Sequence, residues 1–280
     1  MKKLIWLFAA PILFASCKKD SDSNPTPAPT SNACTISEER DSVGNKLTSS
    51  YEFDASKRLI KEFSYTNGVK SGYTTFTYSG STVSIQYFNM NNQADGSPAI
   101  ATLNSSGYIT RLISSGPDTI ENTPGISKDT SNLSYNSAGQ LETFNSRNWT
   151  RDASNNIIGQ NSLNYQYEYS SGRASKVTNT FSSGGSSSST VQTYIYDNSS
   201  PLVTSNPVVS FFSFAGTAIF GKLQSDRIPV KIELTSSTGE PISTSIITAT
   251  VDAKGNPTKI RTAFGGFGGS YTTLYSYSCP

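Results

Sequence analysis

The sequence contains no histidine. Histidine is the commonest general base, the usual partner of a serine or cysteine nucleophile, and the commonest metal ligand in proteins. Its absence excludes Ser-His-Asp and Cys-His hydrolases and zinc enzymes of the usual kind, and we predict no catalytic, metal or cofactor site. Glycosidases that use two carboxylates need no histidine, so the absence of histidine does not exclude this class of enzyme. Four glutamates lie in predicted strands, although nothing in the sequence pairs any two of them: Glu52, Glu62, Glu142 and Glu168.

An excess of charge of one sign is also lacking. The chain has 22 lysine and arginine residues against 20 aspartate and glutamate residues. Two of the basic residues, Lys2 and Lys3, lie in a segment that we predict to be removed, which leaves the mature chain close to neutral. No basic cluster follows Lys19, whereas nucleic-acid binding needs a basic excess. Nucleic acid is therefore not an expected partner.

Long apolar runs are limited to two places, and the first is at the N-terminus. The apolar stretch 4–14 is shorter than the roughly 20 residues of a membrane-spanning helix but fits the core of a signal peptide. The small residues Ala15 and Ser16 and then Cys17 follow it. This order resembles the lipobox of bacterial lipoproteins, which implies a signal peptide over residues 1–16 and a lipid on Cys17. An ordinary secretory signal with an incidental cysteine is the alternative.

The expected location is the outer membrane, with the lipid on Cys17 as the anchor. Multiple acyl chains on one residue give stable anchoring. Residues 17–32 contain three prolines and almost nothing to bury, so we predict a polar tether. Whether the protein faces the periplasm or the cell surface stays open.

Only three cysteines occur. Lipid occupies Cys17 in this interpretation, which leaves Cys34 and Cys279 at the two ends of the remaining chain. In an oxidising compartment we predict a disulfide between them. Two free thiols are the alternative.

Residues 33–280 are predicted to form a single all-β domain. Serine, threonine, asparagine, glycine, tyrosine and phenylalanine dominate, and stretches of helix-forming residues are almost absent. A degenerate unit recurs: alternating aromatic residues, an Asp or Asn, a short polar turn, and a second alternating strand. Its turn is expected to begin at residues such as Asp54, Asn136, Asp152 and Asp252, whose side chains would accept hydrogen bonds from backbone N–H groups two and three residues on.

The units predict an antiparallel β-meander of many strands with one face buried and the other wet. The spacing between units is irregular, which argues against a strict solenoid or propeller. We expect an open, half-barrel-like or curled sheet. The charged run Glu38-Glu39-Arg40-Asp41 is predicted to be a solvated strand face.

The second apolar run lies near residues 207–223. We predict a short helical or irregular plug packed against the concave face of the sheet, with an ordinary core segment as the plainer interpretation. Candidate ligand-contacting residues are Phe211, Phe212 and Phe214 in this run, and Trp149 elsewhere in the domain.

The repeated units resemble the tyrosine-aspartate (YD) repeats of Rhs-type proteins in degenerate form. The layout resembles more closely a family of Bacteroidota lipoproteins that carry a domain of unknown function. The shared features are Cys17, Cys34, the repeated units, the segment Asp252 to Ile260, and the terminal Tyr275-Ser276-Tyr277-Ser278-Cys279. The resemblance covers nearly all of Cys34 to Cys279. It implies a fold and a location but no mechanism, because that family has no assigned activity.

Three hypotheses for function follow from these features. The leading one is a non-catalytic binding or structural module at the cell envelope that engages a glycan, peptide or protein. The second is an enzyme that uses two carboxylates on glycans. The third is a periplasmic carrier whose half-barrel holds a lipid-like ligand.

Overall fold

The architecture is given by a computed structural model that describes residues 34–56, 58–201, 226–265 and 269–278. These residues form sixteen β-strands and no helix. The first eight strands are β1 Thr35–Asp41, β2 Lys46–Phe53, β3 Leu59–Thr66, β4 Val69–Ser79, β5 Thr82–Asn89, β6 Ala99–Leu103, β7 Ile109–Ile120 and β8 Thr123–Tyr135. The other eight are β9 Leu141–Arg151, β10 Ile157–Ser170, β11 Arg173–Ser183, β12 Ser186–Ile195, β13 Lys231–Ser236, β14 Pro241–Val251, β15 Pro257–Gly265 and β16 Ser270–Ser278.

The sixteen strands close into one antiparallel barrel. Each strand pairs with the next along the chain, and β1 pairs with β16 from Thr35 opposite Ser278 to Asp41 opposite Thr273. The predicted antiparallel meander is confirmed, but the open or half-barrel-like sheet is wrong. Closure satisfies the backbone groups of the two edge strands, which an open sheet would leave unpaired. Alternation along single strands does not reveal whether the first and last strands meet.

The predicted apolar segment at 207–223 lies outside the described residues. No helix in the described part of the chain has the length and apolar character to cross a membrane.

The turns of the repeated units form as hairpins with an Asp or Asn at the first position. Asn136 Oδ1 accepts hydrogen bonds from the backbone N–H groups of Ala138 and Gln140. The donors therefore lie two and four residues on, and not two and three as the turn chemistry predicted. Gly139, three residues after Asn136, has a φ of 77° and occupies the left-handed conformation that this turn requires. The same arrangement recurs around Asn104 and Asp252.

The hairpin turns give the barrel two different ends. The closed end is the end that holds the turns beginning at Asp54, Asn104, Asn136 and Asp252, together with the start of β1 and the finish of β16. The open end is the opposite one, where β1 connects to β2, β3 to β4, and so on. The turn at Asp152 lies at the open end. Because β1 starts at the closed end, Cys34, the first described residue, lies there.

At the closed end the inner face of the barrel is apolar and buried. Phe144, Val83 and Ala174 are 1%, 0% and 0% exposed. One continuous core cluster runs through the strands from β1 to β12, and its members are Ile36, Tyr51, Leu59, Phe76, Val83, Ala101, Ile109, Leu112, Leu133, Leu141, Phe144, Tyr165, Tyr167, Ala174, Val177 and Tyr194. Burial of this much apolar area is the main stabilising contribution to the fold.

Tyrosines close this end by a repeated hydrogen bond. The Tyr135 hydroxyl at the end of β8 donates to the carbonyl of Ile109 at the start of β7, at 2.6 Å. Tyr277 at the end of β16 donates in the same way to Pro257 at the start of β15, at 2.9 Å. The hydroxyls of Tyr169 and Tyr196 donate in the same way to the carbonyls of Leu141 and Ala174. The tyrosine of the repeat therefore has a structural role.

The outer face of β10 is polar near the closed end, as the alternation predicts. The residues Tyr165 and Tyr167 are buried, whereas Asn164, Gln166 and Glu168 on either side of them are exposed. Lys128, Arg147 and Lys176 of the neighbouring strands lie on the same outer face, because their sequence neighbours point inward. The predicted division into one buried face and one wet face is confirmed for this part of β10.

Candidate functional site

Towards the open end the same inner face becomes polar and less buried. Strands β7 to β10 are long, with 12, 13, 11 and 14 residues. Pairing between β6 and β7 ends at Ile113, and pairing between β10 and β11 ends at Asn161. Strands β7 to β10 therefore extend beyond their neighbours, and this extension is called the curled wall.

Glycines allow the wall to curl. A Cβ on Gly125 would lie 2.5 Å from the Arg151 carbonyl, and one on Gly159 would lie 3.2 Å from the Ile120 side chain. Ile120 is in β7 and Gly159 is in β10, so the tip of the wall folds across its own inner face. This close approach would be lost with larger residues at either glycine.

Short polar side chains line the inner face of the curled wall and hold one another in place. The Thr150 hydroxyl donates to Asp118 at 2.9 Å, passing over Gly125. The Ser146 hydroxyl donates to Asp129 at 2.6 Å, and the Asn148 amide donates to Ser127 at 2.8 Å. Partial burial raises the pKa of Asp129, against the lowering effect of its serine donors. The inner face of the wall thus presents fixed hydrogen-bonding groups. Its charged members, Asp118 and Asp129, are both acidic.

Aromatic rings on the inner face of β11, β15 and β16 remain exposed. Phe181, Phe264 and Tyr271 are 44%, 40% and 54% exposed. They nevertheless lie on the same face of the sheet as buried residues such as Val177 and Thr262. The Phe264 and Tyr271 rings lie 5.6 Å apart. Exposed rings on the inside of a barrel indicate that the open half of the interior is not filled by the described residues.

A cleft lies at the rim of the open end, between the curled wall and the end of β11. Its volume is about 470 Å³, and it is lined by Ile157–Ser162 and Ser182–Gly185. Asn161 and Ser183 face each other there. Deeper in the barrel, the buried Asn179 Oδ1 has no hydrogen-bond partner among the described residues. A buried acceptor of this kind is costly unless water or a ligand supplies a donor.

Two buried glutamates lie on the inner face of β1 and β3. Glu39 and Glu62 are 1% and 3% exposed, and the Tyr51 hydroxyl donates to Glu39 at 3.1 Å. Desolvation raises the pKa of Glu39 to about 8 and that of Glu62 to about 7. The predicted solvated face at Glu38 to Asp41 is therefore wrong for Glu39, because it points into the barrel, whereas Glu38 and Arg40 pair on the outside.

The glutamates considered for a carboxylate pair do not meet. Glu62 points inward, whereas Glu52, Glu142 and Glu168 are exposed on the outer face. The inner neighbour of Glu62 is Glu39, and both are too buried to touch a ligand in the open half. Within the described ranges no group of three acidic or cysteine side chains has a geometry suited to a metal ion.

The other predicted site residues are scattered. Trp149 lies on the outer face of β9, where the Lys128 ammonium is 5.8 Å from its ring centroid, so it does not line the interior. Phe211, Phe212, Phe214, Cys17 and Cys279 lie outside the described residues. Cys34 directly precedes β1. The register that sets Thr35 opposite Ser278 brings the two chain ends together, which favours the predicted Cys34–Cys279 disulfide without testing it.

The residues that line the open half were not predicted from the sequence. Phe181, Phe264 and Tyr271 follow the same alternation as core residues, so pattern alone predicts them to be buried. The one available signal is the run of small polar inward positions in β7 and β8, at Ser114, Gly116 and Ser127. A packed core would need larger side chains there.

The fold is similar to that of two porin-like proteins of known structure. One, from Bacteroides vulgatus ATCC 8482, aligns with a TM-score of 0.59 and 16% identity over 87% of this chain and 98% of its own. Another, from Bacteroides uniformis ATCC 8492, aligns with a TM-score of 0.51 and 15% identity over 82% of this chain and 89% of its own. At such identities the likeness concerns the fold alone. No protein family and no curated protein matches the sequence.

Proposed function

We propose that the protein is a non-catalytic binding module of the cell envelope, tethered through lipid on Cys17, that holds a neutral saccharide in the open half of its barrel. The observation that carries this proposal is the set of exposed inward rings, Phe181, Phe264 and Tyr271. Aromatic rings on the same inner face as fixed hydroxyl, amide and carboxylate groups suit a ligand that is apolar on its ring faces and polar at its edges. Saccharides have this character.

The charge of the interior supports a neutral ligand. Asp118 and Asp129 face into the open half, whereas Lys128, Arg147 and Lys176 face outward. An acidic concavity repels anionic ligands and leaves neutral or amine-bearing ones acceptable. Binding is favoured over chemistry because the two interior glutamates are buried away from the open half.

The outer surface supports a barrel that stands outside the bilayer. A lysine or arginine on the lipid-facing side of a membrane barrel costs roughly 2–4 kcal/mol at the bilayer midplane. Lys128, Arg147 and Lys176 lie along the outer face of β8, β9 and β11. The closed end carries Cys34, the described residue nearest in sequence to the predicted anchor, so we propose that the open end faces away from the membrane. The porin-like likeness supports an envelope location through the fold only.

The test is binding of neutral oligosaccharides to the purified full-length protein in detergent, measured by calorimetry across a panel of sugars. Tyr271→Ala should weaken binding about tenfold, because it removes one stacking ring. Trp149→Ala is the matched control and should change affinity less than twofold, since Trp149 is on the outer face. Equal losses in both variants, or no binding across the panel, would contradict the proposal.

A further inference from the structure

A group of aromatic and basic residues on the outer face of β3, β4 and β5 has no role in the proposed interior site. Phe63, Tyr73 and Phe88 occupy adjacent strands at paired positions. The Phe63 and Tyr73 ring centroids are 6.0 Å apart, and the Tyr73 and Phe88 rings stack at 4.9 Å with 10° between their planes. These three rings with Lys61 and Lys70 are called the outer aromatic row.

Both lysines of the row sit against the same two rings. The Lys61 ammonium is 4.9 Å from the Phe63 centroid and 4.3 Å from the Tyr73 centroid. The Lys70 ammonium is 4.5 Å and 4.9 Å from the same two centroids. Because the centroids are 6.0 Å apart, these distances hold the two ammonium nitrogens within about 7 Å of each other, where like charges repel.

No carboxylate of the described residues forms an ion pair with either lysine. Glu52 lies directly opposite Lys61 across β2 and β3, yet the Lys61 ammonium lies over the rings. The row is therefore a local positive patch on a chain whose net charge is close to zero.

The rings hold both charges at one place. Tyr73 stacks on Phe88, and the two ammonium groups lie over the Phe63 and Tyr73 rings, where each is attracted by the ring face. Two ammonium groups held this close together favour an anionic group over a neutral sugar.

We propose that the outer aromatic row is a second binding site, for an anionic polysaccharide whose sulfate or carboxylate group bridges the Lys61 and Lys70 ammonium groups. Its position on the side of the barrel, away from the closed end where the chain leaves towards Cys17, leaves room for a long chain to lie across the strands. The site is independent of the interior site, whose acidic lining would repel the same ligand.

The test is a calorimetric titration of the full-length protein with a dextran sulfate oligosaccharide, with unsulfated dextran of the same length as reference. The Lys61→Gln/Lys70→Gln variant should raise the dissociation constant for the sulfated chain about tenfold or more. The charge-matched Lys176→Gln/Lys259→Gln variant changes two outer lysines elsewhere and should shift it less than threefold. Binding of neutral saccharides inside the barrel should be unchanged in both variants, which separates this proposal from the previous one.

Three results would overturn the proposal. Equal weakening by both double variants would show general electrostatic attraction without a site. Preference for unsulfated dextran would exclude an anionic ligand. Binding of anionic phospholipid vesicles through Lys61 and Lys70, with no binding of the sulfated chain, would assign the row to a membrane surface instead.

Discussion

The two ends of the barrel use the same inward face and similar residues, yet they differ in what surrounds them. At the closed end Phe144 is 1% exposed and packs against Tyr165, with ring centroids 6.1 Å apart. At the open end Phe181, on the same face, is 44% exposed. One sheet can thus be a protein core at one end and a binding surface at the other. The difference comes from the small polar side chains on the inner face of the open half and from the tyrosine hydrogen bonds of the closed end, since both ends belong to one sheet.

The largest effect is expected from the predicted disulfide at the closed end. Joining Cys34 to Cys279 would close a loop spanning nearly the whole barrel, and the chain-entropy relation gives about 5 kcal/mol for such a loop as an upper figure. Cys34→Ala should lower the free energy of unfolding by up to this amount. The linkage itself is checked by the mass added on alkylation with and without reduction. Alkylation of Cys34 before reduction would show that the pair is not joined.

The next effect compares one substitution at the two ends. Phe144→Ala should cost about 3–5 kcal/mol of unfolding free energy, because it opens a cavity in packed surroundings. Phe181→Ala is the matched control and should cost less than about 1 kcal/mol, since the exposed ring leaves little cavity. Urea denaturation measures both. Similar costs would mean that the open half is packed like the closed end.

The two buried glutamates, Glu39 and Glu62, should make the free energy of unfolding depend on pH. Their pKa values are raised in the folded state, to about 8 for Glu39 and about 7 for Glu62, from 4.5. The folded protein therefore holds protons that the unfolded chain has released. The stability from each group is complete below pH 4.5 and declines as the pH rises towards the folded pKa, by about 1.4 kcal/mol per pH unit. The barrel should be less stable at pH 8 than at pH 5.

Glu62→Gln tests that dependence. Denaturation between pH 5 and pH 7 should show a slope smaller by about 1 kcal/mol per pH unit than that of the unchanged protein. Glu142→Gln makes the same chemical change at an exposed position of β9 and is the matched control. An unchanged slope in Glu62→Gln would show that this carboxyl is solvated in the folded protein.

The smallest effect concerns the tyrosine hydroxyls of the closed end. Tyr135→Phe removes the donor to the Ile109 carbonyl and should cost about 1–2 kcal/mol, because the acceptor is left without its partner. Tyr271→Phe at the open end should cost less than about 0.5 kcal/mol. Thermal unfolding of the two variants measures the difference. Equal small shifts would show that this hydrogen bond does not stabilise the closed end.

Local features of the fold were predictable from the sequence. The turn at Asn136 depends on a side-chain acceptor and on Gly139, which are properties of neighbouring residues. The alternation of Tyr165 and Tyr167 with Gln166 and Glu168 defines two faces without reference to the rest of the chain. These features depend on short-range chemistry, so a single sequence is enough to predict them.

Closure and the open half were not predictable in this way. Pairing of Thr35 with Ser278 joins residues at opposite ends of the chain, and no local pattern encodes that contact. Glu39 was placed in solvent because three charged residues surround it in the sequence. Phe181 and Phe144 obey one alternation, and only the three-dimensional arrangement shows that one of them faces open space.

The rate at which a water-soluble maleimide labels cysteines at the two ends distinguishes a barrel that is closed at one end and open at the other from one that is packed throughout. Ser245→Cys would place a thiol on the inner face of β14 in the open half, beside Phe264, whereas Ala101→Cys would place one in the closed end, where Ala101 is 0% exposed. In the full-length protein on vesicles, with sites resolved by peptide mass spectrometry, residue 245 should react about 100-fold faster or more, because residue 101 must wait for opening of the fold. Equal rates would contradict a barrel that is closed at one end and open at the other.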